Sequence, residues 1–166
     1  MTDEQENMDL DKHVLLGIPL IDNQHANLIK IYHNLRYACL KGLKNTDQYF
    51  IDTTHAANDH LQCHFQTEER LMRLCNFPGL ENHKKEHNDF IWEILSRSKQ
   101  LQDEQHLVPE KFVHFLNEWI NNHIGISDKA FVDYFLTTKQ YDSMKMILDE
   151  RTRPSANSSH EISSRA

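Results

Sequence analysis

Residues 61–75 read LQCHFQTEERLMRLC, and their apolar side chains recur at spacings of three and four. Leu61 and Leu71 share one face of a helix with this period, and His64 and Glu68 fall on the same face. A carboxylate on an otherwise apolar face is costly unless it is paired or bound to a cation. The stretch therefore predicts an amphipathic helix whose buried side carries a polar site.

Three other segments show the same period, and the breaks between the four lie at Gly42 and KNTDQ (44–48), CNFPGLEN (75–82) and DEQHLVP (103–109). Pro109 suits the first position of a helix. In each segment, the residues that recur at this period fall on one face, which is expected to point into the core and is called the inward stripe. The four inward stripes are Ile21, His25, Leu28, Tyr32, Leu35 and Cys39; Phe50, Thr54, Ala57, Leu61, His64, Glu68, Leu71 and Cys75; His83, His87, Phe90, Ile94 and Leu101, with Arg97 as a polar exception; and Phe112, Leu116, Trp119 and His123.

These stripes predict four helices joined by short loops, which is typical of an all-α, up-down-up-down four-helix bundle. We expect an N-terminal arm before the bundle and a short C-terminal helix at about residues 129–148. The domain is predicted to span residues 1–149. Residues 150–166 are polar and Ser-rich, and we expect them to form a disordered tail.

Composition limits the function classes. The 166 residues include only four Gly and four Pro, which favours long helices over a turn-rich β fold. The net charge of −7 disfavours nucleic acid as a partner, because phosphate binding needs a basic surface. With no long apolar run and no signal-peptide pattern, the sequence predicts a soluble, cytoplasmic protein with no membrane partner. The three Cys have no metal-type spacing and are expected to be free thiols.

Histidine is the anomaly, with 12 in the chain. The inward stripes carry five of them together with Glu68, whereas His33, His55 and His114 fall on outward positions and His60 on a flank. In an up-down-up-down bundle, the start of the first helix, the end of the second, the start of the third and the end of the fourth share one end. A lone inward histidine is usually a core residue, but five of them and a carboxylate in one layer indicate a metal.

Asp128 follows His123 by five residues in HIGISD (123–128). A regular helix would rotate Asp128 well away from His123, so a break or a widened turn at Gly125 is needed to bring it inward. Asp22, one turn before His25, is either an acceptor for that histidine or an acid at a helix N-terminus.

Four stretches carry a family resemblance: GIPLIDNQH (17–25), HFQTEERLM (64–72), HKKEH (83–87) and WINNHIGISDKAF (119–131). With them the chain resembles a hemerythrin domain of the bacterial single-domain type over roughly residues 10–135. The resemblance fills all seven ligand positions of that family, namely His25, His64, Glu68, His83, His87, His123 and Asp128. Leu10 is a departure, because related chains commonly carry a Trp there.

The resemblance implies a non-haem di-iron centre, with two iron ions (Fe2+/Fe3+) and an oxo or hydroxo bridge. By family assignment, one iron is held by His83, His87 and His123, and the other by His25 and His64. Glu68 and Asp128 bridge both iron ions. The second iron then keeps one open position, where dioxygen would bind. In the family, a Trp and a bulky aliphatic residue of the fourth helix line the oxygen pocket, which here are Trp119 and Ile120.

The sequence therefore predicts reversible dioxygen binding for storage, transport, delivery or sensing, and no enzymatic activity. Di-iron oxygenases of the bundle class use about four Glu and two His, and a set with fewer carboxylates should disfavour high-valent iron. Three alternatives stay open at this point: a di-iron oxidase or peroxide- or nitric-oxide-handling enzyme, an iron- or oxygen-responsive regulatory module, and zinc or another metal in the same ligands. The oligomeric state and any protein recipient are not determined by the sequence.

Overall fold

The computed structural model describes residues 15–41, 46–102 and 109–138, without the side chains of 46–48, 50, 51, 54–56, 59, 98, 100–102 and 109. Its elements are helical and form an all-α bundle, as predicted. The helices are α1 (Pro19–Leu40), α2 (Thr46–Cys75), α3 (Leu80–Gln102), α4 (Pro109–Asn122) and α5 (Lys129–Thr137), with a π-helical turn at His123–Asp128 between α4 and α5.

The chain enters α1 through a fixed turn. Gly17 has a φ of +100°, a region that side chains rarely adopt, and Pro19 opens the helix. The carboxylate of Asp22 accepts hydrogen bonds from the backbone N–H groups of Leu16 at 2.8 Å and of Gly17 at 3.2 Å. Of the two roles expected for Asp22, the structure shows the one at the helix N-terminus, and the carboxylate holds the preceding turn.

The connection from α2 to α3 is equally tight. Asn76 is left-handed at φ 55°, its N–H donates to the carbonyl of Arg73, and the N–H of Phe77 donates to the carbonyl of Met72. This is the pattern of a Schellman helix end. A Cβ at Gly79 would lie 2.6 Å from the Phe77 ring, so the turn needs glycine there. The chain thus reverses within a few residues and α3 begins at Leu80.

The bundle core is divided by a polar layer. Helix α1 packs against α2 and α4, α2 packs against α3, and α5 packs against α2. A large apolar cluster fills the middle of the bundle and includes Leu28, Leu61, Ile94 and Leu116. A smaller cluster closes one end and contains Ile18, Ile21, Leu71, Met72, Cys75, Phe131, Val132 and Phe135. The helix period places His25 between Ile21 and Leu28, and His64 and Glu68 between Leu61 and Leu71. The buried polar residues therefore lie between two apolar clusters.

Two expectations about the C-terminal part are settled in detail. Of the break or widened turn expected at Gly125, the structure shows the widened turn, because Asn122 and Lys129 both have α-helical backbone angles and α4 continues through the π turn into α5. The C-terminal helix is shorter than the predicted 129–148, since Thr138 is extended and α5 ends at Thr137. The polar exception, Arg97, has its guanidinium 4.5 Å from the centre of the Phe115 ring.

Some expectations fall outside the described residues. These are Leu10 and most of the N-terminal arm, the side chains of Phe50, Thr54, His55 and Leu101, the segment 139–148 and the tail 150–166. Among the helices that the structure describes, none is long and apolar enough to cross a membrane.

Candidate metal centre

All seven predicted ligand residues meet in the polar layer between the two apolar clusters. Each is at most 3% exposed, and together they are the buried polar and charged residues of the described chain: His25, His64, Glu68, His83, His87, His123 and Asp128. They come from α1, α2, α3 and the π turn, so the direction of each helix must alternate to bring them together. The structure thus places every predicted ligand residue in one layer.

The side chains form two groups that share both carboxylates. Glu68 and Asp128 join His83, His87 and His123 in the first group and join His25 and His64 in the second. Within each group, the candidate ligand atoms lie within 4.8 Å of one another. This is the arrangement expected when two neighbouring cations are bridged by two carboxylates.

The carboxylate of Asp128 faces both groups. Its Oδ1 lies 3.1 Å from Nε2 of His123 and 3.2 Å from Nε2 of His83, while Oδ2 lies 3.1 Å from Nε2 of His25. The π turn accounts for this position, because its wider winding keeps residues five apart on one side of the helix. Of the break and the widened turn that the sequence left open, the structure shows the widened turn.

The carboxylate of Glu68 also faces both groups. Its Oε2 lies 3.4 Å from Nε2 of His83, 3.3 Å from that of His87 and 3.5 Å from that of His64. Its Oε1 lies 3.9 Å from Nε2 of His25. Two donors about 2.1 Å from one cation and at right angles to each other would be about 3 Å apart, so these spacings fit ligands of shared cations.

The hydrogen bonding of the layer also fits a cation. In the described part of the chain, Oε1 of Glu68, both Oδ atoms of Asp128 and Nε2 of His64 are buried without a hydrogen bond of good geometry. Nε2 of His87 lies only 2.9 Å from Nε2 of His123. Polar atoms left in this state are costly in a protein core, and metal coordination would satisfy all of them.

Burial and charge shift the ionisation of the layer in the metal-free chain. Burial lowers the pKa of His64 to about 4. Burial alone would lower the pKa of His83 as well, but the neighbouring carboxylates of Asp128 and Glu68 outweigh burial and raise that pKa to about 9. Burial alone would raise the pKa of Glu68. The surrounding imidazoles, first that of His64, outweigh burial and hold this pKa well below its usual range. Burial and the charge of Glu68 oppose ionisation of Asp128, but the neighbouring imidazoles, first that of His123, lower its pKa as well. Both carboxylates are therefore anionic, as metal ligands need to be.

Three outer residues hold the histidine rings, and sequence reasoning missed them. Nδ1 of His64 lies 3.3 Å from Oε1 of Gln24, and Nδ1 of His87 lies 3.3 Å from Oε1 of Glu69. The third is Glu86, whose carboxylate lies beside His123. Such partners fix the tautomer of a metal-binding histidine and raise its donor strength.

The Glu86–His123 contact is the shortest of the three, at 2.9 Å between Oε2 and Nδ1. The hydrogen bond from His123 lowers the pKa of Glu86 to about 2, so this carboxylate is ionised at neutral pH. A sequence signal existed, because Gln24, Glu69 and Glu86 each stand directly beside a ligand residue. It could not show which ring each of them meets, since Glu86 pairs with a histidine of another helix.

Aromatic rings cover the three-histidine group. Phe65 stacks on His87 with ring centres 3.8 Å apart, and Trp119 stacks on His123 at 4.3 Å. Phe90 in turn stacks on Trp119 at 3.7 Å. These ring faces shield His87 and one face of His123, while an open surface pocket lined by Glu86, Trp119 and Ser127 reaches His123.

An apolar cavity of about 40 Å³ lies in the larger core cluster, toward the middle of the bundle. Both predicted oxygen-pocket residues, Trp119 and Ile120, line it. Leu28 and Leu61 line it as well, each three residues from a ligand of the two-histidine group.

The remaining described histidines stay outside the layer. His114 is exposed and lies 3.4 Å from Glu118, which is also exposed. His60 is exposed and His33 is half-buried. Cys63, beside His64, is an exposed free thiol.

Comparisons with known proteins agree with this site. The family described as hemerythrin HHE cation binding domain matches residues 16–135. A bacteriohemerythrin of Clostridium acetobutylicum is 31% identical over 121 residues, which cover 71% of this chain and 93% of that protein. A bacteriohemerythrin of Stenotrophomonas maltophilia is 28% identical over 118 residues, 71% of this chain and 74% of that protein. A myohemerythrin of Riftia pachyptila is 42% identical over 67 residues, 40% of this chain and 50% of that protein. No solved structure matches the chain significantly.

Proposed function

Because this chain belongs to the hemerythrin family, we propose that it binds dioxygen reversibly at a non-haem pair of iron ions held by the seven buried residues. The observation that carries the proposal is the sharing of Glu68 and Asp128 between a three-histidine group and a two-histidine group. When bound, the iron pair supplies the electrons that a reversible bond to dioxygen requires. The chain supplies the ligands, the charge and the dry surroundings.

The unequal number of histidines supports binding at one ion. Both carboxylates are common to the two groups, so the group of His25 and His64 has one protein ligand fewer than the group of His83, His87 and His123. A cation that takes six ligands would be nearer to saturation in the larger group. The smaller group then leaves room for an exogenous ligand, and we assign dioxygen to that side.

The charge of the layer favours a carrier over an oxidase. Five imidazoles and two carboxylates give the site a charge of about −2 when the histidines are neutral, whereas the carboxylate-rich oxygenases of bundle folds use about four Glu. Fewer anionic donors stabilise high iron charge less well. Among the described residues, Glu68 and Asp128 are the only fully buried carboxylates, so no further buried acid is available as a proton donor for oxygen reduction.

The apolar surroundings protect a bound gas molecule. The stacked rings of Phe65 and Trp119 cover His87 and His123, and Phe131 and Phe135 of α5 are fully buried at the closed end. These apolar side chains limit the access of water and anions, which would displace dioxygen or promote oxidation of the iron.

The optical spectrum of the iron-loaded protein tests the proposal. Anaerobic reduced protein should absorb weakly in the visible region, air should produce strong charge-transfer bands, and argon should remove them. Persistent oxidation with continuous consumption of an added reductant would instead support the oxidase alternative. The absence of any air-dependent band would overturn the proposal.

Two variants test the ligand assignment. His83→Ala and Glu68→Ala should each abolish binding of the iron pair, measured as iron per chain after reconstitution. His114→Ala is the matched control, because His114 is exposed and far from the layer, and it should retain two iron ions. Equal iron content in all three proteins would contradict the assignment.

A further inference from the structure

We propose that the open groove beside His123 is a docking site for an electron-donor protein with a basic surface, which passes electrons to the iron pair through the rings of Trp119 and His123. The need for such a donor rests on the proposed function, because iron ions that air has oxidised cannot bind dioxygen until each regains one electron. The donor loses the same number of electrons, and no bond of the chain is formed or broken.

The groove lies on the protein surface between α3 and α4. It has a volume of about 480 Å³ and is lined by Glu86, Phe115, Glu118, Trp119, Asn122, His123, Ile126 and Ser127. A neighbouring depression of about 390 Å³ shares Glu86, Phe115 and Trp119 with the groove and continues along α3 to Glu93. Of the seven buried ligand residues, His123 is the one that lines the groove.

Two short contacts join the groove to His123. The half-buried ring of Trp119 stacks on the His123 ring, with the ring centres 4.3 Å apart and an angle of 17° between the planes. The carboxylate of Glu86 lies 2.9 Å from Nδ1 of His123. An electron needs only overlap between neighbouring groups, whereas an anion needs an opening, and His123 is only 3% exposed. The stacked rings can therefore conduct an electron to a ligand that remains buried.

The lining of the groove is suited to a protein partner. Phe115, Trp119 and Ile126 contribute apolar surface, and Ile126 is 66% exposed. Polar side chains, including those of Asn122 and Ser127, lie beside them. Aromatic and apolar side chains bordered by polar ones are typical of protein interfaces. Complexes that form only for electron transfer are small and bury less than about 1,200 Å² in total, so this groove and its neighbour can form the centre of one.

The charges of the groove select a basic partner. Among the described residues that line it, Glu86 and Glu118 carry carboxylates and none is Lys or Arg. Asp89 and Glu93 extend the acidic surface along α3, and each is paired with a basic residue four positions away on the same helix. The net charge of −7 adds a long-range attraction for a basic protein. An acidic donor would be repelled.

Chemical cross-linking tests the docking without any electron transfer. The probe is the basic haem protein cytochrome c, mixed with the iron-loaded protein when both are oxidised. A carbodiimide then joins lysine amines of the probe to the carboxylates that they contact, and peptide mapping should find these cross-links at Glu118. Asp52 is the control, because it is exposed on α2 and outside the groove, and it should not be cross-linked. Cross-links confined to carboxylates outside the groove would overturn the proposal.

The kinetics of electron transfer test the role of charge. Since one contact carries electrons in both directions, anaerobic reduced protein is mixed with oxidised cytochrome c, and each ferrous ion that is oxidised reduces one haem. Glu118→Gln should lower the second-order rate constant about two- to fivefold at low salt and weaken its salt dependence. Asp52→Asn removes the same charge from α2 and should leave the rate constant nearly unchanged. Cytochrome c with succinylated lysines keeps its haem but reverses its charge, and an equally fast reaction with it would contradict a charge-selected site.

A change of ring tests the route. Trp119→Leu removes the ring that stacks on His123, so it should lower the limiting rate at saturating cytochrome c and leave the cross-link at Glu118 in place. Trp119→Phe restores a ring and should recover most of that rate. A limiting rate in Trp119→Leu equal to that of the unmodified protein would exclude the route.

The same measurements separate this proposal from the proposed function. If the unmodified protein docks and exchanges electrons with cytochrome c but does not bind dioxygen reversibly, the proposed function fails and the docking site stands. If it binds dioxygen reversibly but reacts equally fast with the native and the succinylated probe, the docking site fails and the proposed function stands.

Discussion

The carboxylate of Glu86 lies 2.9 Å from Nδ1 of His123 and joins α3 to the turn that follows α4. The partner of His87 is also a carboxylate, that of Glu69, whereas His64 meets the neutral amide of Gln24. Two rings of the three-histidine group thus face anions, while His64 of the two-histidine group faces an uncharged acceptor. Because an anionic partner raises the donor strength of an imidazole, the two metal positions are electronically unequal.

Removing one of these charges should weaken metal binding. Glu86→Gln keeps the shape of the side chain and an oxygen acceptor for His123, but it loses the negative charge. We expect about a tenfold loss of iron affinity and a higher midpoint potential, measured by competition with a chelator and by spectroelectrochemistry. Glu118→Gln is the control, because Glu118 contacts the exposed His114 and should change neither quantity.

Adding a charge on the other side should act in the opposite direction. Gln24→Glu places a carboxylate beside Nδ1 of His64, where the present contact is 3.3 Å. The stronger donor should lower the midpoint potential of the iron pair and speed oxidation of the air-exposed protein. A midpoint potential equal to that of the unmodified protein would mean that the partner of His64 only orients the ring.

Iron uptake should release a proton from His83 at neutral pH. The pKa of His83 is raised to about 9 in the metal-free chain, so its ring is protonated at pH 7, but it must be neutral to bind a metal. Because His83 must lose this proton before it can bind iron, the apparent iron affinity should rise with pH up to about pH 9. His64, whose pKa is lowered to about 4, is already neutral and should release none.

Nitrogen NMR of the metal-free protein measures this directly. The His83 ring should titrate near pH 9 and the His64 ring near pH 4. Calorimetry of iron binding in buffers of different ionisation enthalpy should then report the proton released at pH 7. A His83 ring that is neutral at pH 7 in the metal-free protein would contradict the prediction.

Two glycines should respond oppositely to alanine. Gly125 lies in the continuous helix, and a Cβ there would meet nothing within 4 Å. Gly125→Ala should raise the free energy of unfolding by about 0.4–1 kcal/mol, because it restricts the unfolded chain. Gly17→Ala should lower it by about 1–2 kcal/mol, because φ is +100° there. Urea denaturation of the two variants measures both, and a loss of stability in Gly125→Ala would show that the π turn requires glycine.

Much of the site could be predicted because the helix period decides which side chains face inward. His64 and Glu68 are four apart on an apolar stripe, and the same rule placed His83 and His87 on the next helix. The end of the bundle at which they meet followed from the alternating direction of helices joined by short loops. Helix direction and period are local properties, so the sequence contains them.

The sequence by itself determined the four inward stripes, the seven residues that meet in one layer and the need for a break or a widened turn before Asp128. Only the tertiary structure decided how that turn is made, which carboxylate oxygen faces which histidine, and that Glu86 supports a ring from another helix. It also created the apolar cavity behind Leu28 and Leu61. These features depend on distances between helices, and such distances are set by side-chain packing across the whole core, which no periodicity along one helix can specify.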